Sequence, residues 1–137
     1  MDLRTACSRA ALLALLLAGT SCSGSSADAE LGVLEAQSGP FDGDIKLDSA
    51  APKVGDHDAE LALVDGQGDR VSGAEVEITP FMPAHGHGAA KVAATEIAPG
   101  RYVAEQLSLF MPGLWELRVR VVEGDAEGRL SATFEVR

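Results

Sequence analysis

The chain has 137 residues, of which 46% are apolar, and its formal net charge is −10, from 11 Lys and Arg against 21 Asp and Glu. This length is that of one small domain, and the apolar fraction is too high for a disordered chain. The acidic balance argues against nucleic acid as a partner, because a phosphate backbone would be repelled and no basic stripe is present to bind it.

The first 21 residues have the pattern of a secretory signal peptide. Two arginines precede a nine-residue apolar run, Ala10 to Ala18, which small residues follow. This run is too short to span a bilayer, which takes about 20 apolar residues. Cys22 stands directly after the small residues, in an arrangement similar to the lipobox of bacterial lipoproteins, so we expect cleavage before Cys22 and a diacylglyceryl group on its sulfur. Ordinary signal-peptidase cleavage after Ala29 is the alternative.

Residues 22–41 are predicted to be the lipidated cysteine and a tether, because the residues after Cys22 are small and polar. We expect the lipid to hold the protein on a membrane of a bacterial envelope with its domain facing the periplasm. Ser23 after the cysteine favours the outer membrane over the inner one, by analogy with sorted lipoproteins. Cys22 is the only cysteine left in the exported chain, so once it is acylated no disulfide forms and stability comes from packing.

Residues 42–137 alternate apolar and polar side chains between turn signals. This pattern predicts an all-β domain, a single immunoglobulin-like β-sandwich of about seven strands. Trp115 falls in the apolar phase of its segment, which predicts a core anchor rather than a binding residue. The predicted strands are 42–48, 57–65, 74–79, 91–97, 101–109, 114–123 and 129–137.

Two short segments concentrate the residues that could bind a metal ion. His85 and His87 lie in the first, which begins Phe-Met-Pro at Phe81, and a second Phe-Met-Pro begins at Phe110. Every methionine of the exported chain lies in one of these tripeptides. The candidate ligands are Met82, His85, His87 and Met111.

The direction of the strands predicts that these four residues meet. When successive strands run in opposite directions, the connections alternate between the two ends of the domain. The loops 49–56, 80–90 and 110–113 follow the first, third and fifth predicted strands, so they share one end. His57, at the start of the second predicted strand, falls at the same end. Its acidic neighbours indicate a solvated turn residue rather than an accessory ligand.

The ligand chemistry of this set favours copper. Thioether sulfur and imidazole suit Cu(I), whereas calcium and magnesium require oxygen and structural zinc usually recruits thiolates. Gly86 and Gly88 would let the two imidazoles reorient around an ion. The alternative is structural: the methionines cap the core, and the His-Gly-His segment is a polar loop tip.

Three motifs in this order resemble a known family. Met82 to Gly88, Pro99 to Tyr102 and Met111 to Val119 are similar to the YtkA-like domain, which is related to the FixH-like proteins of bacterial envelopes. The resemblance covers residues 42–137. It implies an immunoglobulin-like sandwich, an exported or membrane-tethered location and a link to copper handling. The FixH-like branch further implies a copper acceptor or an oxidase-assembly protein as partner.

We therefore expect a lipid-anchored envelope protein that binds Cu(I), or a similarly soft ion, and buffers or delivers it. No enzyme is expected, because the chain has neither a Gly-x-Ser-x-Gly elbow nor an HExxH motif. The alternative function is a metal-free interaction module, in which the same loops dock on a membrane-protein partner.

Overall fold

The computed structural model describes residues 33–137, which form nine β-strands. Within this part of the chain no helix is long and apolar enough to cross a membrane. The predicted signal peptide 1–21, the lipidation site Cys22 and most of the predicted tether lie outside the described residues. The strands are β1 (Val33–Ser38), β2 (Phe41–Leu47), β3 (Gly55–Asp65), β4 (Glu75–Met82), β5 (His87–Gly88), β6 (Val92–Ala98), β7 (Arg101–Leu109), β8 (Gly113–Glu123) and β9 (Ala126–Val136).

The strands form one closed sheet in which every neighbouring pair is antiparallel. The order is β4-β6-β7-β3-β2-β1-β9-β8, and β8 pairs with β4 to complete the ring, while the two-residue β5 extends along β4. The all-β prediction is confirmed, but the predicted sandwich of two separate sheets is not what forms. Two strands turn the corners: β1 pairs first with β2 and then with β9, and β6 pairs first with β4 and then with β7.

The domain begins earlier than the sequence analysis placed it. Residues 33–38 of the predicted tether 22–41 form β1, and Phe41, also assigned to the tether, opens β2 with a side chain that is 2% exposed. The β1 segment shows little alternation in the sequence, because a bulge between Ala36 and Ser38 interrupts its pairing with β9. Leu34 nevertheless fills the core at 2% exposure.

The core lies inside the ring and follows the predicted alternation most closely in β8 and β9. Trp115 is fully buried, as expected for a core anchor. Burying an apolar side chain of this size stabilises the fold by about 2–3 kcal/mol relative to leaving it exposed. The buried residues of the two strands are Trp115, Leu117, Val119, Val121, Leu130, Ala132, Phe134 and Val136.

The antiparallel pairing places the connections alternately at two ends of the domain. The connections 48–54, 83–86, 89–91 and 110–112 lie at one end, which we call the histidine end. The opposite end carries the connections 39–40, 66–74, 99–100 and 124–125. The predicted meeting of the three loops at one end is confirmed. The two strands that the sequence analysis did not predict leave the alternation of ends unchanged, because β1 precedes the first predicted strand and β5 only returns along β4.

At the opposite end, Tyr102 fixes the long connection to the sheet. Its side chain is fully buried, and burial raises the pKa of its hydroxyl, which therefore stays neutral. The hydroxyl donates to the carbonyl oxygen of Val71 at 2.8 Å and accepts from the backbone N–H of Ala74 at 3.1 Å. One side chain thus satisfies two backbone groups of the connection 66–74.

We expect the change Tyr102→Phe to lower the free energy of unfolding by about 1–3 kcal/mol, because it leaves a carbonyl and an N–H without their partner. Urea denaturation followed by tryptophan fluorescence measures this loss. Thr133→Val removes a hydroxyl from an exposed position of β9 and should change stability by less than about 0.5 kcal/mol. Equal effects of the two substitutions would contradict the role given to Tyr102.

Candidate metal site

The two histidines of the candidate site lie on a tight hairpin between β4 and β5. The backbone N–H groups of His85 and Gly86 donate to the carbonyl oxygen of Met82 at 3.1 Å and 3.0 Å. Met82 also pairs with His87 across the hairpin. His85 therefore lies in the turn and His87 at the start of the returning strand, and both side chains are exposed.

The two glycines of this hairpin stand where the backbone favours a residue without a side chain. Gly86 has a φ of +66°, a left-handed conformation that glycine adopts without steric cost. A Cβ atom at Gly88 would overlap the carbonyl oxygen of Pro80 and the Cα atom of Phe81, so no side chain fits there. Each glycine thus meets a specific backbone requirement, and the expectation that the two residues let the imidazoles reorient stays a prediction.

A row of aromatic rings connects the hairpin to the core. The ring centres of His85 and His87 are 5.6 Å apart, and His87 stacks on Phe110 at 5.8 Å with an interplanar angle of 17°. Phe110 in turn meets Trp115 edge to face at 5.3 Å. Because Trp115 is fixed in the core, this row sets the position of the outer imidazoles.

The two methionines differ from the histidines in their exposure. Met82 is a core residue, 1% exposed, and a Cβ atom built at Gly113 would lie 3.2 Å from its terminal methyl carbon. Met111 packs partly buried against the core, and its carbonyl oxygen accepts a hydrogen bond from Trp115 Nε1 at 2.9 Å. All four predicted ligands lie at the histidine end, but only the two imidazoles are exposed there.

The spacing of the imidazoles fits one shared ion. A metal lies about 2.0–2.1 Å from a ligating ring nitrogen, so two ring centres on one ion are at most roughly 6.5 Å apart. The separation between His85 and His87, 5.6 Å, lies within this limit. Among residues 33–137, no group of three or more His, Cys, Asp and Glu side chains is placed to hold a metal. His85 and His87 are therefore a pair without a third His, Cys, Asp or Glu ligand among the described residues, and Met82 and Met111 are the predicted thioether donors at the same end.

His57 belongs to a different environment at the same end. Its Nδ1 lies 2.7 Å from Asp48 Oδ1, its Nε2 lies 2.7 Å from the carbonyl oxygen of Lys53, and its side chain is only 12% exposed. Both partners are hydrogen-bond acceptors, so the arrangement favours the cationic ring, which donates from both nitrogens. His57 is thus neither a solvated turn residue nor an available ligand, but a clamp on the connection 48–54.

The charge of His57 follows from its surroundings. Partial burial lowers the pKa of the ring, but the hydrogen bonds to Lys53 and Asp48 and the negative charges of Asp48 and Asp56 outweigh it, so the pKa lies above its ordinary value. Nothing in the sequence pairs His57 with Asp48, since the contact depends on the register of the β2–β3 hairpin.

We expect His57→Gln to cost roughly 1 kcal/mol of stability at pH 6, because glutamine cannot replace a cation that donates from both nitrogens. When folding raises the pKa of a group, its protonated form stabilises the native state at pH values below the pKa of the unfolded state. This contribution disappears as the pH rises through the pKa of the folded state. The difference between wild type and variant should therefore shrink at pH 9. Urea denaturation at the two pH values measures it, and an equal difference at both would contradict a cationic clamp.

Comparison with known proteins agrees with the resemblance seen in the motifs. A sequence model of the YtkA-like family matches residues 35–120, from β1 into β8, and this range includes the hairpin and both methionines. Searches of curated proteins and of solved structures gave no match to the chain. Since the match spans more than half of the chain, the protein is a member of the YtkA-like family.

Proposed function

We propose that this protein binds copper as Cu(I), or a similarly soft ion, through His85 and His87 and buffers or delivers it in a bacterial cell envelope. The observation that carries the proposal is the 5.6 Å separation of two exposed imidazoles on the β4–β5 hairpin. Membership of the YtkA-like family supports it. The location of the protein, facing the periplasm from a lipid on Cys22, is part of the same proposal.

A thioether is proposed as the third donor. Imidazole with thioether is a soft set that suits Cu(I) in an oxidising compartment, where a thiolate would be oxidised or would form a disulfide. Met82 is 1% exposed and would have to leave the core to reach an ion held by exposed rings. Met111 lies directly after the ring that stacks on His87, and it is only partly buried. We therefore assign the thioether role to Met111 and a supporting, structural role to Met82.

The exposure of the hairpin fits transfer as well as storage. His85 and His87 lie on the surface, where a second protein could approach the ion without unfolding the domain. A copper acceptor or an oxidase-assembly protein is the partner that fits a delivery role. Because the ion is cargo, the domain has no need to change the oxidation state of the copper.

The first experiment is an anaerobic Cu(I) titration of the exported chain from residue 22, with Cys22→Ser so that no free thiol competes, against a chromophoric chelator. We expect one equivalent to bind. The double change His85→Ala and His87→Ala should weaken binding by at least about tenfold. His57→Gln is the matched control and should leave the affinity unchanged, since His57 is already hydrogen-bonded through both nitrogens.

Binding no tighter than the chelator background would overturn the metal proposal. It would leave the metal-free interaction module as the function of the histidine end. Full affinity in the His85/His87 double variant would show instead that copper binds elsewhere in the chain.

The thioether assignment has its own test. Met111→Leu keeps the volume of the side chain and should change stability by less than about 1.5 kcal/mol, yet we expect it to weaken Cu(I) binding several-fold. Met82→Leu is the matched control, with the same change in chemistry at a core position, and should leave the affinity unchanged. Equal affinities in wild type and Met111→Leu would remove Met111 from the ligand set.

A further inference from the structure

The histidine end also carries three of the four exposed large hydrophobic side chains of the described residues. Four large hydrophobic side chains are exposed in this part of the chain: Val54 at 48%, Ile97 at 54%, Phe110 at 45% and Leu114 at 53%. All except Ile97 lie at the histidine end. Their location at one end makes that end the candidate contact surface of the domain.

Basic side chains accompany these apolar residues. The exposed Lys53 precedes Val54 directly, and Arg137 is joined to the same loop by backbone hydrogen bonds, from Val54 N–H to the Arg137 carbonyl and from Arg137 N–H to the Pro52 carbonyl. Lys91, on the connection behind the histidine hairpin, is exposed but pairs with Glu77 at 2.6 Å, so the basic side chains beside the apolar residues are Lys53 and Arg137. Apolar side chains bordered by lysine and arginine are the combination that binds the headgroup region of a bilayer.

The described chain also enters the domain from this side. Val33 pairs with Asp44 and Leu34 with Gly43, so β1 runs antiparallel to β2 and away from the histidine end. Its partner Asp44 lies three residues before Leu47, where β2 ends. Val33 is therefore about 10 Å from the histidine end of the sheet.

The predicted anchor is close enough to hold this end against a membrane. Cys22 precedes Val33 by 11 residues, which span at most roughly 36–40 Å when fully extended. The last 10 Å of this span is the distance from the histidine end to Val33. The remaining length allows the histidine end to lie at most about 30 Å from the lipid headgroups.

We propose that the histidine end rests on the surface of the bilayer that holds the lipid on Cys22, with Val54, Phe110 and Leu114 at headgroup level. The tether alone would allow many orientations, and these three side chains with their basic neighbours select one of them. His85 and His87 then face the membrane, where an ion would be exchanged with a membrane-embedded partner. This inference rests on lipidation of Cys22 and not on copper binding.

Orientation is measured on the exported chain coupled through Cys22, its only thiol, to a maleimide-headgroup lipid in nanodiscs of phosphatidylethanolamine and phosphatidylglycerol. A gadolinium chelate on a fraction of the headgroups broadens nearby amide resonances. We expect the amides of 53–54, 85–88, 111 and 113–114 to relax several-fold faster than those of 66–68 and 124–125 at the opposite end.

Substitutions separate surface contact from tethering. Val54→Ser with Leu114→Ser should make relaxation at the two ends similar, and neither residue belongs to the buried core. Ile97→Ser is the matched control, because Ile97 is as exposed as Leu114 but lies at the opposite end, and it should change nothing. The double change His85→Ala and His87→Ala should abolish copper binding without altering the orientation, so the two proposals fail separately.

Similar relaxation at both ends of the unmodified domain would overturn the proposal. So would an end-selective pattern that survives Val54→Ser with Leu114→Ser, since the tether alone would then explain it. Either outcome would make a membrane protein, rather than the lipid surface, the partner to examine for the exposed apolar side chains.

Discussion

The position of the candidate site depends on the burial of Trp115. Its indole is enclosed in the core, and its N–H donates to the carbonyl oxygen of Met111, which fixes the β7–β8 connection from within. Phe110, which precedes Met111 in that connection, meets the indole edge to face and also stacks on His87. The rigid core therefore extends outward through successive rings to the imidazoles, although those imidazoles belong to another hairpin. A loop site built in this way needs no flexibility of its own to present its ligands.

Closure of the sheet makes this arrangement possible. In a ring of antiparallel strands, the connections after β2, β4 and β7 must emerge at the same end, whatever residues they contain. The corner strands β1 and β6 complete the ring by dividing their hydrogen bonds between two neighbours each. Topology thus brings distant segments together, and the residue types in those segments determine what chemistry results.

Much of this could be predicted from the sequence, because alternation in β8 and β9 is strong and strand direction needs only the order of the strands. Besides the closure of the sheet and the strand β1, one end of a predicted strand was also placed wrongly. The predicted strand 74–79 stops before Pro80, since proline lacks an N–H for the ladder. In the structure β4 continues through Pro80 to Met82, and the carbonyl oxygen of Pro80 accepts a hydrogen bond from the backbone N–H of Ala89. Extending the strand by three residues places Met82 in the same phase as Val76 and Ile78, which is the buried phase. The pattern that identified Trp115 as a core residue would have identified Met82 as well.

The histidines of this end illustrate a limit of a different kind. His57 and His87 are both near loops and both have polar or glycine neighbours in the sequence, yet their rings are in opposite situations. In His57 each nitrogen faces an oxygen acceptor, Asp48 on one side and Lys53 on the other, so a metal at either nitrogen would have to displace a hydrogen bond and its proton. His85 and His87 instead stand exposed and close together. Residue type alone gives all three imidazoles the same ligand chemistry. The register of the β2–β3 hairpin pairs His57 with Asp48, whereas the β4–β5 hairpin leaves His85 and His87 as the candidate pair.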